Sequence, residues 1–170
     1  MPTRPAILIV VTALFLAALL PAPAMEPDLA ADLAADLRAN TRRLIRGGDG
    51  SCDLGRVLTN LVDIAVRIGR EGRLAPPLQA TLEAALVRIK EGPALGDETR
   101  HAFAVAYAAL HDGREFCFPA EVHSIDDARA AAQAEVDRSI RALEEGRPHE
   151  AAGALLAMLM MVVTPMEAQV

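Results

Sequence analysis

The sequence has no tryptophan, two cysteines and few aromatic residues. It also lacks any stretch in which apolar and polar residues alternate for long enough to predict a half-buried strand, whereas apolar spacings of three and four recur along the chain. We find no Gly-rich phosphate loop, no Gly-x-Ser-x-Gly elbow and no Cys-His cluster with the spacing of a zinc site. The sequence therefore predicts an all-α protein that is not an enzyme and that needs no metal or cofactor.

The charge balance bears on the class of partner. The chain has 17 basic and 23 acidic residues, a formal net charge of −6. Without residues 1–24, which include one arginine, the balance is 16 minus 23, or −7. Such a surface predicts no nucleic-acid partner. A basic protein is an easier partner, although a modest acidic excess is also a common way to keep a protein soluble.

Residues 1–24 have the pattern of an export signal. Arg4 supplies a positive start, an apolar run extends from Ala6 to Leu20, and Ala22-Pro23-Ala24 has the small residues of a cleavage site. As a helix the run would be roughly 22 Å long, shorter than the approximately 30 Å hydrocarbon layer of a bilayer. We expect a cleaved signal peptide, membrane contact through that signal alone, and a periplasmic or secreted domain of residues 25–170. An uncleaved N-terminal anchor stays open as the alternative.

Apolar spacing within this domain predicts a compact bundle of about six helices. Gly47-Gly48 marks the end of the first helix, while Asp97 and Ser124 are suitable N-caps for the fourth and fifth. Ile125 is placed on the buried face of the fifth helix. The predicted helices cover about 27–46, 52–71, 76–91, 98–111, 125–145 and 148–163. The last one is apolar on every side from residue 151 to 163, which favours a central core helix over membrane contact or self-association.

Two patterns resemble metal sites without the spacing that such sites need. Asp28, Asp32 and Asp36 follow one another at intervals of four, but carboxylates on one flank of a solvated helix lack the tight loop from which calcium ligands usually come. The four histidines, at positions 101, 111, 123 and 149, form no zinc motif. We interpret the histidines as surface or helix-end residues.

Export would place both cysteines in an oxidising compartment, which favours a disulfide between Cys52 and Cys117. Closing the 65-residue separation would stabilise the fold by about 4 kcal/mol in the chain-entropy model. The predicted domain would then comprise an N-terminal helix and loop (residues 25–50), a disulfide-stapled core (51–165) and a loose tail (166–170). Two free buried thiols remain the alternative.

The aromatic residues of the predicted domain lie close together in sequence, from Phe103 to Phe118. Phe103 and Tyr107 are four residues apart on a predicted helix and are expected to pack together. Phe116 and Phe118 flank Cys117 and would point the same way in an extended chain, opposite to the sulfur.

These two phenylalanines belong to the stretch REFCFPAEVHS, residues 114–124, which we call the aromatic segment. We expect it to form an ordered corner between two helices. It would be either a local core around the disulfide or an exposed anchor for another protein, since rigid aromatic side chains make good interaction hot spots. The candidate partner-binding residues are Phe116, Phe118, Pro119, Glu121 and His123.

A helix, the tetrapeptide Phe116-Cys117-Phe118-Pro119, a long helix opened by Ser124 and a short apolar helix ending at Pro165 follow one another over about residues 101–165. This order is similar to that of the periplasmic immunity proteins of the Rap/Tai type, which protect bacteria from peptidoglycan amidase toxins delivered by type VI secretion. The resemblance implies an exported, helical, disulfide-bonded protein that occludes the active site of such an amidase. The family's last helix tends to end in Pro-Cys, whereas here Met166 follows Pro165.

A second functional class stays open beside inhibition. A periplasmic chaperone or stress protein would expose the apolar final helix only under certain conditions. A homodimer is also compatible with the sequence.

Overall fold

The computed structural model describes residues 25–45, 54–92 and 96–166. Within these ranges the chain forms six α-helices and no strand, which confirms the predicted helical bundle. The helices are α1 (Pro27–Ile45), α2 (Leu54–Glu71), α3 (Pro76–Glu91), α4 (Asp97–Leu110), α5 (Ile125–Glu144) and α6 (Pro148–Val163). The predicted signal peptide, the Gly47-Gly48 stop, Cys52 and residues 167–170 lie outside the described residues. None of the described helices is long and apolar enough to cross a bilayer.

Helix α6 lies at the centre of the bundle. It contacts α2, α4 and α5, and the outer helices contact one another in the order α5, α1, α2, α3 and α4. Every residue from Ala151 to Met160 is buried, and so is Val163. The predicted central helix is therefore confirmed, and its lack of a polar face follows from having neighbours on several sides.

Helices α4 and α5 both run antiparallel to α6. Arg100, near the start of α4, donates through Nε to the carbonyl of Val163 at the end of α6 (3.0 Å), while Gly153 near the start of α6 lies against His111, just past the end of α4. A short turn at residues 145–147 joins α5 to α6 as an antiparallel pair. Hence α4 and α5 are parallel to each other, and these two helices make no direct contact.

The aromatic segment is consequently not a tight corner. The end of α4 and the start of α5 lie at opposite ends of the bundle, so residues 111–124 must pass along its length. The chain turns at Asp112 and Gly113, where φ is 54° and 78°, and again where the Val122 N–H donates to the Pro119 carbonyl (2.9 Å). The segment between these turns is an irregular connection between two parallel helices.

One of the two predicted N-caps is confirmed. The Ser124 hydroxyl accepts from the Asp127 N–H (3.1 Å) and donates to the Asp127 carboxylate (2.8 Å), which satisfies the start of α5. The prediction for Asp97 is wrong, because Gly96 is the N-cap and Asp97 is the first helical residue. In that first turn the Asp97 carboxylate pairs with Arg100 at 3.1 Å, a position that the helix dipole favours.

The buried side chains follow the predicted apolar faces with one clear exception. The predicted stripe of α2 is buried throughout, at Val57, Leu58, Leu61, Ile64, Ala65 and Ile68. Ile125 was expected to be buried but is 66% exposed, because the first turn of α5 borders an open groove rather than a packed neighbour.

Candidate functional site

A row of contacting rings attaches the aromatic segment to the end of α4. The Tyr107 ring stacks on the His111 ring, with centroids 3.8 Å apart and planes inclined by 16°. Phe116 packs edge-on against Tyr107 at 5.5 Å, and Phe118 packs edge-on against Phe116 at 5.3 Å. Offset and edge-on contacts of this kind hold rings in defined relative positions. We call these four side chains the aromatic row.

The aromatic row is neither fully buried nor fully exposed. Phe116 and Phe118 are half-buried, and Phe116 packs against the main core. The ring contact between them shows that they share one side of the chain, while the Cys117 side chain between them is exposed. Phe103 is fully buried in the core against which Tyr107 packs, and the rings paired with that of Tyr107 are those of His111 and Phe116.

His111 has a structural role at the end of α4. Its Nδ1 lies 2.8 Å from the Tyr107 carbonyl oxygen. A carbonyl only accepts hydrogen bonds, so Nδ1 must carry the proton and donate. Gly153 of α6 lies beside the imidazole, and a Cβ there would be in ordinary van der Waals contact with the ring, at 3.5 Å. The prediction of a helix-end histidine is thus confirmed at this position.

Charged groups of α5 and of the aromatic segment act electrostatically on the Tyr107 phenol. Partial burial raises the pKa of Tyr107, and the neighbouring Glu135 carboxylate adds to this rise, whereas Arg114 and Arg138 act in the opposite direction. Glu135 is itself paired with Arg138 at 3.3 Å, and Arg138 lies 3.5 Å from Glu150 of α6. The phenol therefore stays neutral over the physiological pH range.

The structure brings some of the predicted partner-binding residues together and leaves others apart. Phe118 and Pro119 are half-buried beside Phe116, whereas Glu121 and His123 have exposed side chains. The His123 N–H donates to the Asp127 carboxylate (3.1 Å), so the backbone of His123 fixes the entry into α5.

The edges of the aromatic segment are mainly acidic. Asp112, Arg114, Glu115 and Glu121 are the exposed charged side chains between residues 112 and 122, and three of these four are acidic. No ion pair joins any of the four to another described residue. The site is an apolar row with an acidic border.

The three aspartates of α1 differ in their surroundings. The Asp36 carboxylate pairs with the Arg67 guanidinium of α2 at 3.1 Å, while Asp28 and Asp32 are exposed. In the parts of the chain that the structure describes, no three side chains among His, Cys, Asp and Glu converge as metal ligands would.

Cys117 is the one cysteine inside the described ranges. Its predicted partner, Cys52, lies outside them, so the Cys52–Cys117 disulfide stays a prediction.

Sequence reasoning missed the stack of Tyr107 on His111, although their spacing of four residues is a usable signal for helix neighbours. It also missed the groove beside Ile125, for which the sequence offers no signal.

Comparison of the chain with protein-family models, curated proteins and solved structures finds no significant match. The Rap/Tai resemblance therefore remains a hypothesis supported by the order of sequence features alone.

Proposed function

We propose that this chain is an exported protein that binds another protein through the aromatic segment and performs no chemistry itself. Following the sequence resemblance, we propose that the partner is a peptidoglycan amidase toxin whose active site the segment occludes. The observation that carries the proposal is the aromatic row, which holds Phe118 at the surface through Phe116 and Tyr107.

Preorganisation makes this segment a favourable binding element. A loop that is already ordered loses less conformational entropy when it binds than a flexible one. The ring contacts restrain Phe116 and Phe118, and the cap at Ser124 restrains the following turn. An aromatic side chain surrounded by a polar border is the usual arrangement of an interaction hot spot.

The acidic border indicates the kind of surface that would fit. Asp112, Glu115 and Glu121 would face a basic border on the partner, and opposite charges at the rim speed association and select the partner. The formal net charge of −7 (16 minus 23) of the chain without residues 1–24 favours the same kind of partner over longer distances.

The test first asks whether a neighbouring gene encodes a peptidoglycan amidase, and then measures the rate of peptidoglycan hydrolysis by that enzyme at increasing concentrations of the exported protein. We expect Phe118→Ala to weaken inhibition by about 2 kcal/mol, the usual size of a hot-spot effect. Its melting temperature should stay close to that of the unchanged protein, because Phe118 is only half-buried. Val87→Ala, at a side chain of α3 that is 50% exposed, is the matched control.

A charge reversal tests the acidic border separately. Glu121→Arg should slow association with the toxin and reduce its dependence on salt, whereas Glu91→Arg at the exposed end of α3 should change neither. Full inhibition by both Phe118→Ala and Glu121→Arg would reject the aromatic segment as the binding surface. A large loss of stability in Phe118→Ala with unchanged inhibition would assign the segment to the core.

A further inference from the structure

The main chain of the aromatic segment has hydrogen-bonding groups without a partner in the described ranges. The Arg114 N–H donates to the His111 carbonyl (3.0 Å) and the Pro119 carbonyl accepts from Val122 (2.9 Å), but residues 115–118 make no main-chain hydrogen bond to a described residue. By contrast, main-chain hydrogen bonds close the turns at residues 72–74 and 145–147. Since buried main-chain groups are almost always paired, those of residues 115–118 must contact water in the free protein.

The same residues have the side-chain alternation of a strand. The rings of Phe116 and Phe118 contact each other, with centroids 5.3 Å apart, and both are half-buried, whereas Cys117 between them is exposed. Successive side chains of an extended chain point to opposite faces in this way. Pro119 favours the same conformation, because a proline disfavours the helical region for the residue before it. Residues 116–118 therefore form a short extended edge.

We propose that the amidase toxin adds an extended strand to residues 115–118, so that main-chain hydrogen bonds hold the complex together with the aromatic side chains. This inference rests on the proposed function and specifies which element of the partner binds. An extended edge with unpaired main-chain groups is a template for strand addition. The ring contacts already hold this edge against the bundle, so that pairing requires little further ordering.

The alternation of the segment also indicates the sequence of the added strand. Side chains of two paired strands lie side by side on each face. On the face toward the bundle, apolar side chains of the partner would lie beside Phe116 and Phe118. On the opposite face, a basic side chain would lie beside the exposed Glu115, which forms no ion pair with a described residue. The segment thus fits a partner strand in which apolar and basic residues alternate.

Amide hydrogen exchange, measured by NMR with and without the toxin, tests the pairing. In the free protein, the N–H groups of residues 115–118 should exchange rapidly, because no described residue accepts from them. With the toxin bound, alternate amides should exchange at least about tenfold more slowly, either those of residues 115 and 117 on one edge or those of 116 and 118 on the other. The N–H of Asp97, at the opposite end of α4, is the control and should keep its rate.

A charge reversal tests the basic neighbour expected beside Glu115. Like charges directly opposite each other on paired strands repel, so Glu115→Lys should weaken inhibition of the toxin by about threefold or more. Its melting temperature should not change, because Glu115 is exposed. Glu91→Lys, at the exposed end of α3, should leave inhibition unchanged.

The outcomes separate strand addition from the proposed function. Inhibition that Phe118→Ala weakens, without slower exchange at residues 115–118, would overturn strand addition and leave the binding surface in place. Equal slowing of all these amides would overturn it as well, because simple burial under a partner produces no alternation. Absence of toxin binding would reject both proposals. Alternate protection without toxin, together with a dimer in sedimentation velocity, would assign the edge to a second copy of the chain and overturn the added toxin strand.

Discussion

Gly72 lies where the turn after α2 meets Pro148, the first residue of α6. A Cβ at Gly72 would lie 2.2 Å from Pro148 Cβ and 2.6 Å from Pro148 Cγ. The proline ring cannot rotate away as a flexible side chain would, so the backbone must shift. We expect Gly72→Ala to destabilise the fold by about 1–3 kcal/mol in chemical denaturation, as overpacking usually does.

Gly92→Ala is the matched control for this substitution. Its new Cβ would have the Arg88 carbonyl oxygen at 3.4 Å as its nearest neighbour, an ordinary contact. Its free energy of unfolding should change by no more than about 0.5 kcal/mol. If the two alanine variants prove equally stable, the close approach of the α2 turn to α6 is wrong.

The Ser124 hydroxyl, which caps α5, also affects the pKa of the Asp127 carboxyl. Hydrogen bonds from the Ser124 hydroxyl and from the His123 N–H lower the pKa of Asp127, with the hydroxyl as the larger cause. A carboxyl whose pKa is lower in the folded state stabilises the fold above its unfolded pKa, and this stabilisation is lost as the pH falls through the folded pKa.

We therefore expect Ser124→Ala to have two effects. It should destabilise the protein by about 1 kcal/mol at neutral pH, because α5 loses its N-cap. It should also move the pKa of Asp127 upward, toward its ordinary value, in an NMR titration of the carboxyl carbon. Ser124→Asn retains a capping oxygen and should keep most of the stability. An unchanged Asp127 titration in Ser124→Ala would contradict the described hydrogen bonds.

At the scale of whole elements, the sequence predicted the helices well but not the relative directions of α4 and α5. Gly, Pro and Ser residues mark helix ends locally, which is why the predicted bounds of α5 and α6 agree closely with those observed. The directions of α4 and α5 depend on which neighbours each helix finds. A connection of residues 111–124 is long enough for either direction, so local signals could not distinguish a corner from a connection along the bundle.

In the candidate site, too, local sequence signals predicted some features, whereas features that depend on neighbouring helices were not predicted. Phe116 and Phe118 share one side, as the alternation of an extended chain predicts, and the segment stands out by composition. By contrast, the periodicity of α5 placed Ile125 on the buried face. Periodicity gives the side of a helix on which a residue lies, but it cannot show that the facing neighbour is absent at one end.

The predicted disulfide can be tested directly at Cys117, whose side chain is exposed. If Cys117 is paired with Cys52, we expect the unreduced exported protein to resist a maleimide until a reductant is added, whereas an unpaired thiol at an exposed position would react at once.

Mass spectrometry after labelling gives the readout, with Cys117→Ser as the control for the labelled site. If both thiols resist labelling until a reductant is added, the Cys52–Cys117 bond exists. Labelling of Cys117 before reduction would instead reject the predicted disulfide.

At the scale of the whole molecule, the burial of α6 separates the inhibitor proposal from the chaperone alternative. A chaperone of that kind would have to expose the apolar side chains of residues 151–160, all of which are buried. Opening the bundle would also separate α6 from α5, its most extensive neighbour. Such exposure requires a trigger that strongly destabilises the closed fold.

Acid is the trigger to test for the chaperone alternative, and the two described carboxyls whose pKa is lowered favour the folded state at mildly acidic pH. Hydrogen bonds from Gln79 and then Arg70 lower the pKa of Glu83, just as Ser124 lowers that of Asp127. By the linkage argument given for Asp127, both groups keep favouring the folded state until the pH falls below the ordinary carboxyl range, about 4.

We accordingly expect no binding of an apolar-surface dye, and no protection of an unfolding client protein, between neutral pH and about pH 5. Leu156→Ala is the positive control, because truncating this fully buried side chain should lower the free energy of unfolding by about 2–5 kcal/mol. On acidification, this variant should therefore begin to bind the dye at a higher pH than the unchanged protein does. Dye binding and client protection that rise together between pH 7 and about pH 5 would instead favour the chaperone, because α6 would then be released while the surface carboxylates are still charged.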